Sequence, residues 1–102
     1  MTKYYVYIIK CEKWKEGIFQ KYLYYTGMTS DPKKRLFEHR NGFRSNWMSN
    51  NNVSPLHFVY IECVGTDYWY ALNREKIIKK MNLKTKLKLI DDYNEMSSMQ
   101  QF

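Results

Sequence analysis

The chain has 102 residues, which suits one domain with one hydrophobic core, and 44% of them are hydrophobic. Its 17 Lys and Arg residues outnumber 10 Asp and Glu, and the resulting net charge of +7 favours a polyanionic partner such as nucleic acid. The apolar run near the start is far shorter than the roughly 20 residues that span a membrane, and no small-residue cleavage site follows it. We therefore expect a cytoplasmic protein with no membrane association, in which Cys11 and Cys63 are reduced packing residues.

The first elements in the chain are predicted to form an antiparallel hairpin. Tyr4–Cys11 is β-branched and aromatic without a breaker, which indicates a strand buried on at least one face. The charged stretch Glu12–Gln20 is predicted to be a turn, and Lys21–Thr26 a second strand. Gly27 is predicted to end that strand.

A helix is predicted next, followed by a loop. Asp31 is a candidate N-cap, and Pro32 fits the first helical position because its missing N–H would have no partner there. The helix continues through His39 and stops at Gly42. The Asn- and Ser-rich segment Phe43–Pro55 is predicted to be a loop.

The rest of the chain predicts one strand and two helices. Leu56–Val64 has partial alternation, typical of a third strand, and either Thr66 or Asp67 caps a helix over 68 to about 81. Apolar residues at helical spacing then predict a third helix from about 83 to about 93. The order is β-β-α-β-α-α, which predicts an α+β fold. Residues 1–94 would form the domain and 95–102 a flexible tail.

Two strand motifs and three helical positions together resemble a known family. The first strand carries YVY at 5–7, the second carries YTG at 25–27, Arg35 and His39 follow on the next helix, and Glu75 lies on a later one. This ordered set resembles the small single-domain group of GIY-YIG endonucleases. The segment YTGMTSDPKKRLFEHRNG at 25–42 carries the resemblance most strongly, and ALNREKIIKKM at 71–81 is similar to the family's later helix.

The resemblance implies a three-stranded antiparallel sheet flanked by helices. It also implies a metal-dependent endonuclease that hydrolyses phosphodiester bonds in DNA, with Mg²⁺ or Mn²⁺ as cofactor and Glu75 as the metal ligand. The catalytic residues that it implies are Tyr7, Tyr25, Arg35, His39 and Glu75. Asn82 corresponds to a late polar residue of the family.

The residue types suit this chemistry. A carboxylate such as Glu75 binds a hard divalent ion, and the planar fork of Arg35 binds a phosphate. A tyrosine that acts as a base needs help from a cation, because an ordinary phenol titrates near pH 10. We favour Tyr7 as the base with Tyr25 as its neighbour. His39 lies on the same helix face as Arg35, where it would hold a phosphate, assist proton transfer or orient a tyrosine.

Each residue taken singly has a simpler interpretation. Tyr7 and Tyr25 would be sheet-packing aromatics, and Glu75 would pair with Lys79 four residues later. The chain also departs from the family pattern, because 18 positions separate the two tyrosines and Met28 stands where some members have a lysine. The ordered set as a whole favours the nuclease.

Residues for DNA contact are expected around the first helix. These candidates are Lys33, Lys34, Arg40, Arg44 and Trp47. Two other hypotheses remain: a catalytically silent module that binds nucleic acid or a partner, and a nuclease that needs a protein partner for specificity, because no further DNA-binding module lies outside the domain.

Overall fold

The computed structural model describes residues 1–41, 48 and 50–100. Within them, the helices and strands are β1 (Tyr4–Lys15), β2 (Ile18–Thr29), α1 (Pro32–Arg40), β3 (Val53–Gly65), α2 (Tyr68–Lys79) and α3 (Leu83–Gln100). The strands form an antiparallel sheet in the order β2-β1-β3. The described residues therefore confirm the predicted α+β class and the order β-β-α-β-α-α.

The turn predicted within Glu12–Gln20 is present, and both strands of the β1–β2 hairpin run on into this stretch. The turn consists of Glu16 and Gly17, both in the left-handed region with φ of 53° and 77°. Successive residues of this kind form the tight turn that matches strand twist. Aromatic packing stabilises the strand pairing near the turn, where Trp14 pairs with Phe19 and their ring centroids lie 5.8 Å apart.

Both faces of the central strand β1 are buried. Val6 and Ile8 pack on one face against Ile78 of α2 and Ile90 of α3. The other face has its own buried cluster, which contains Tyr7, Ile9, Cys11, Met48 and Val53. Burial on both sides explains why β1 reads as a continuous apolar run rather than as an alternating one.

Several predicted boundaries shift in the structure. The strand predicted from Leu56 begins at Val53, so the end of the predicted loop is wrong. Pro55 is accommodated because the β1–β3 register is irregular beside Cys11. Asp67 rather than Thr66 caps α2, and its side chain accepts hydrogen bonds from the backbone N–H groups of Trp69 and Tyr70. The predicted stop at Gly42 lies outside the described residues, as does the loop segment 43–47.

The third helix also differs from its prediction. It extends to Gln100, well beyond the predicted end near Tyr93. Tyr93 itself lies against Tyr60 of β3, with 5.3 Å between ring centroids. This contact links α3 to the sheet at the point where the sequence suggested that the helix would end. A tail formed by 95–102 stays a prediction.

An ion pair fixes α2 to the edge of the sheet. Arg74 on α2 donates two hydrogen bonds to Glu62 on β3, at 2.9 and 3.0 Å. Tyr60 donates a further hydrogen bond to the same carboxylate. A two-bonded Arg–carboxylate contact sets both distance and orientation, so it determines where the following residue of α2, Glu75, is held.

Candidate active site

Two tyrosines meet on one face of the sheet. Tyr7 on β1 pairs with Gly27 on β2, and Tyr25 on β2 pairs with Ile9 on β1. Side chains alternate along a strand, so Tyr7 and Ile9 share a face, and Tyr25 shares it as the cross-strand neighbour of Ile9. The two phenols are therefore diagonal neighbours, as the family resemblance implied.

Tyr7 is enclosed by aromatic rings. Its side chain is only 3% exposed, and its ring centroid lies 5.0 Å from that of Phe58 and 6.5 Å from that of His39. Burial is the main cause that raises the pKa of Tyr7 to about 12, while the positive charge of Arg35 acts in the opposite direction. The phenol of the isolated protein consequently keeps its proton at neutral pH.

The helix α1 presents Arg35 and His39 to this face. Asp31 caps the helix by accepting a hydrogen bond from the backbone N–H of Lys34 at 3.0 Å. Arg35 Nη1 lies 3.4 Å from Glu38 Oε2, and both side chains are about 30% exposed. Such a long and solvated contact is weak.

Glu75 approaches the tyrosines from α2. Its side chain is 14% exposed, and its Oε1 lies 2.8 Å from Nζ of Lys79, one helical turn later. The pairing that the sequence offered as the simple interpretation of Glu75 is therefore present. Glu75 nevertheless remains close to the tyrosines, because its negative charge is one of the causes that raise the pKa of Tyr7.

All five catalytic candidates line one cavity of about 330 Å³. Among the described residues, its lining consists of Tyr7, Tyr25, Gly27, Met28, Arg35, His39, Tyr68, Leu72 and Glu75. These residues come from β1, β2, α1 and α2. The structure thus brings together side chains that lie as far apart in the sequence as Tyr7 and Glu75. Their individual catalytic roles stay predictions.

Asn82 lies outside that cavity. Its Oδ1 accepts a hydrogen bond from the backbone N–H of Thr85 at 2.8 Å, at the start of α3. This is the geometry of a helix N-cap, which satisfies a backbone donor that would otherwise lack a partner. The contact accounts for Asn82 structurally, and the structure does not place it with the other candidates.

The residues predicted to contact DNA are only partly described. Lys33 and Lys34 are exposed on α1, the helix that carries Arg35. The side chain of Arg40 lies outside the described part of the chain, as do Arg44 and Trp47 entirely. The basic face of α1 is therefore the described portion of the predicted contact surface.

Sequence reasoning missed parts of the cavity wall. Gly27 does not end β2, which continues to Thr29, and it lies in the wall beside Tyr7. A glycine within a strand is a signal of close approach by another group, and that signal was available. Tyr68 and Leu72 precede Glu75 at helical spacing on α2, so helical periodicity would have placed them on its face.

A larger cavity of about 440 Å³ elsewhere does not compete as an active site. It lies between β3 and α2 and is bordered by Glu62 and Arg74. These two charged groups already neutralise each other through two hydrogen bonds. The smaller cavity combines two tyrosines, a histidine, a carboxylate and an arginine in its described lining.

Comparison with known proteins agrees with this geometry. The family described as the GIY-YIG catalytic domain matches residues 3–88, and the chain belongs to that family. Membership indicates a nuclease family with nucleic acid as the substrate class, and GIY-YIG nucleases generally depend on a divalent metal ion.

Relatives of similar length are UPF0213 proteins. The one from Staphylococcus saprophyticus is 37% identical over 92 residues, which cover 90% of this chain and 99% of the relative. The one from Syntrophus aciditrophicus is 38% identical over 90 residues, which cover 88% of this chain and 92% of the relative. A third, from Staphylococcus epidermidis, is 34% identical over 92 residues, which cover 90% of this chain and 99% of the relative. No solved structure matches the chain.

The described helices were also compared with the requirements of a membrane span. None of them combines the length and the apolar character that crossing a bilayer needs.

Proposed function

We propose that the chain is a metal-dependent endonuclease that hydrolyses phosphodiester bonds in DNA. The observation that carries the proposal is the convergence of Tyr7, Arg35 and Glu75 on one cavity from three separate elements. A phosphate binder, a carboxylate and a proton-accepting oxygen are the parts that phosphodiester hydrolysis requires. Membership of a nuclease family supports the same reaction.

The donor groups in the cavity fit one hydrated Mg²⁺ or Mn²⁺ ion. Glu75 is the carboxylate in the described lining, and no group of three or more His, Cys, Asp or Glu side chains suited to a metal occurs in the described part of the chain. Mg²⁺ keeps several waters and often needs only one or two carboxylates together with substrate phosphates. Glu75 would hold the ion, which supplies charge neutralisation at the phosphoryl oxygens.

The remaining side chains bind the substrate and move the proton. Arg35 binds the phosphate through its planar fork, which matches two phosphate oxygens at once. Tyr7 would act as the phenolate, whose Oη would accept the proton of the attacking water. Arg35 and a divalent ion held by Glu75 are the cations that would favour this form against the effect of burial. His39 packs against the Tyr7 ring and orients it.

The substrate strand would reach the cavity across α1. Lys33 and Lys34 are exposed on the helix that carries Arg35, so phosphates on either side of the cleaved one meet positive charge. Such contacts supply affinity without sequence specificity. A cytoplasmic location and a partner that supplies specificity stay predictions.

The test is incubation of the purified protein with single-stranded, duplex and branched DNA in Mg²⁺, Mn²⁺ or EDTA. We expect cleavage that requires the metal ion and a loss of roughly 100-fold or more in Glu75→Gln and Arg35→Lys. Arg35→Lys retains the charge and removes the fork, so it tests the two-oxygen geometry. The exposed residue Lys88 provides a matched control, since Lys88→Met changes a surface charge far from the cavity.

Two results would contradict the proposal. Cleavage that survives Glu75→Gln at the wild-type rate would show that a contaminant or another site cuts the DNA. Salt-sensitive binding without cleavage in any metal would support the alternative function, a catalytically silent module that binds nucleic acid. The net charge of +7 is compatible with that alternative.

A further inference from the structure

The carboxylate proposed as the metal ligand already contacts a cation. Glu75 Oε1 lies 2.8 Å from Nζ of Lys79, and the two side chains differ in exposure, 14% for Glu75 and 51% for Lys79. The carboxylate belongs to the cavity wall, whereas the lysine reaches it from the rim. The lysine is the more exposed of the two side chains, so it can turn away into solvent while Glu75 stays in the cavity wall.

This asymmetry has a physical reason. A carboxylate removed from water is costly unless a cation or several hydrogen bonds compensate for it. Lys79 provides that compensation in the protein without a bound ion, and its flexible stem makes the contact easy to exchange.

We propose that Lys79 is a resident counter-ion of Glu75, which a divalent cation must displace in order to bind. The inference rests on the proposed function, because it takes Glu75 as the metal ligand. Lys79 stabilises the metal-free protein and weakens its affinity for the metal ion, since two cations compete for one carboxylate. Removal of the lysine therefore has two effects of opposite sign, which a merely structural ion pair would not produce.

The experiment uses Mn²⁺ alone as the probe, with free Mn²⁺ measured by its electron paramagnetic resonance signal. The full chain is compared with Lys79→Met, Lys79→Arg and Lys80→Met. We expect Lys79→Met to bind Mn²⁺ roughly three- to tenfold more tightly and to have a lower Tm in EDTA. Lys79→Arg keeps the competing charge, so it should bind Mn²⁺ like the wild type.

Lys80→Met is the matched control, because Lys80 is an exposed neighbour on the same helix end and its replacement removes the same charge. Equal tightening in Lys79→Met and Lys80→Met would overturn the proposal, since it would show a general charge effect. Unchanged or weaker Mn²⁺ binding in Lys79→Met would also overturn it.

The outcomes separate this inference from the proposed function. Metal-dependent cleavage by the wild type, together with no tightening in Lys79→Met, contradicts the counter-ion role alone. Wild-type Mn²⁺ affinity in Glu75→Gln contradicts both, because Glu75 would then not be the ligand. Tightening in Lys79→Met that Glu75→Gln abolishes supports the proposal whatever the protein cleaves.

Discussion

Gly27 and Tyr7 lie opposite each other in the β1–β2 ladder, and the phenol of Tyr7 occupies the space where a side chain at position 27 would lie. A Cβ added to Gly27 would be 2.5 Å from Cζ and 3.0 Å from Cε1 of Tyr7. Non-bonded carbon atoms normally approach to about 3.5–4.0 Å. The glycine of the second strand motif therefore makes room for the tyrosine of the first.

Gly27→Ala is expected to displace Tyr7 from the cavity. Overpacking of this kind costs about 1–3 kcal/mol, and it also moves the phenol that the proposed reaction uses. We expect a lower Tm by thermal unfolding and a loss of DNA cleavage.

The double variant Gly27→Ala/Tyr7→Leu separates the two effects. A smaller side chain at position 7 removes the collision, so the cost of Gly27→Ala should largely disappear in the Tyr7→Leu background, whereas cleavage should not return. Equal costs in both backgrounds would show that the contact with Tyr7 is not the cause.

Thr26→Val is expected to stabilise the protein. Thr26 is 2% exposed, and its Oγ1 has no hydrogen-bond partner among the residues that the structure describes. Removing a buried hydroxyl without a partner, at nearly constant volume, should raise the free energy of unfolding by about 1 kcal/mol. In contrast, Thr29→Val should lower it, because Thr29 Oγ1 accepts a hydrogen bond from the backbone N–H of Asp31. A lower Tm for Thr26→Val would contradict the assignment.

The two cysteines should differ in reactivity. Cys63 is exposed, whereas Cys11 is fully buried, and burial raises the pKa of the Cys11 thiol to about 11. Only the thiolate reacts readily, so a thiol reagent at pH 8 should label one group per native chain and both after denaturation. Cys63→Ser should leave almost no fast labelling. Rapid modification of two thiols in the native protein would contradict the burial of Cys11.

Lys86→Met is expected to stabilise the protein in a pH-dependent manner. Burial, followed by the like charge of Lys79, lowers the pKa of Lys86 from its ordinary 10.5. The unfolded chain therefore binds the proton more tightly than the folded protein, and the cost of Lys86 is greatest at neutral pH. The variant loses the long hydrogen bond that Lys86 Nζ donates to the backbone carbonyl of Tyr24 at 3.4 Å, but it should still be more stable than the wild type at pH 7, and by less as the pH approaches 10.

The same measurement on Lys88→Met provides the control for Lys86. Lys88 is exposed on the same helix, so its replacement should change Tm little and with no comparable pH dependence. A constant difference between Lys86→Met and the wild type from pH 7 to pH 10 would contradict a lowered pKa.

The parts of the fold that could be predicted are those determined by local patterns. The apolar run of β1, the Asp31–Pro32 start of α1 and the helical periodicity of α2 each act within a few residues. Local patterns leave the length of the β1–β2 hairpin open, because its outer half is solvent-exposed and amphipathic alternation is absent there. Its pairing depends on aromatic contacts between strands, such as Trp14 with Phe19, which local composition does not reveal.

The sequence by itself determined the chemical identity of the candidate site, because the order of two tyrosine motifs, an arginine and a glutamate is specific to one family. Only the tertiary structure decided how these groups affect each other. Burial of Tyr7 and its need for Gly27 depend on distances between elements, whereas the contact between Glu75 and Lys79 lies within α2 and follows from helical spacing. Such distances follow from the packing of α1 and α2 on the sheet, which no local pattern encodes.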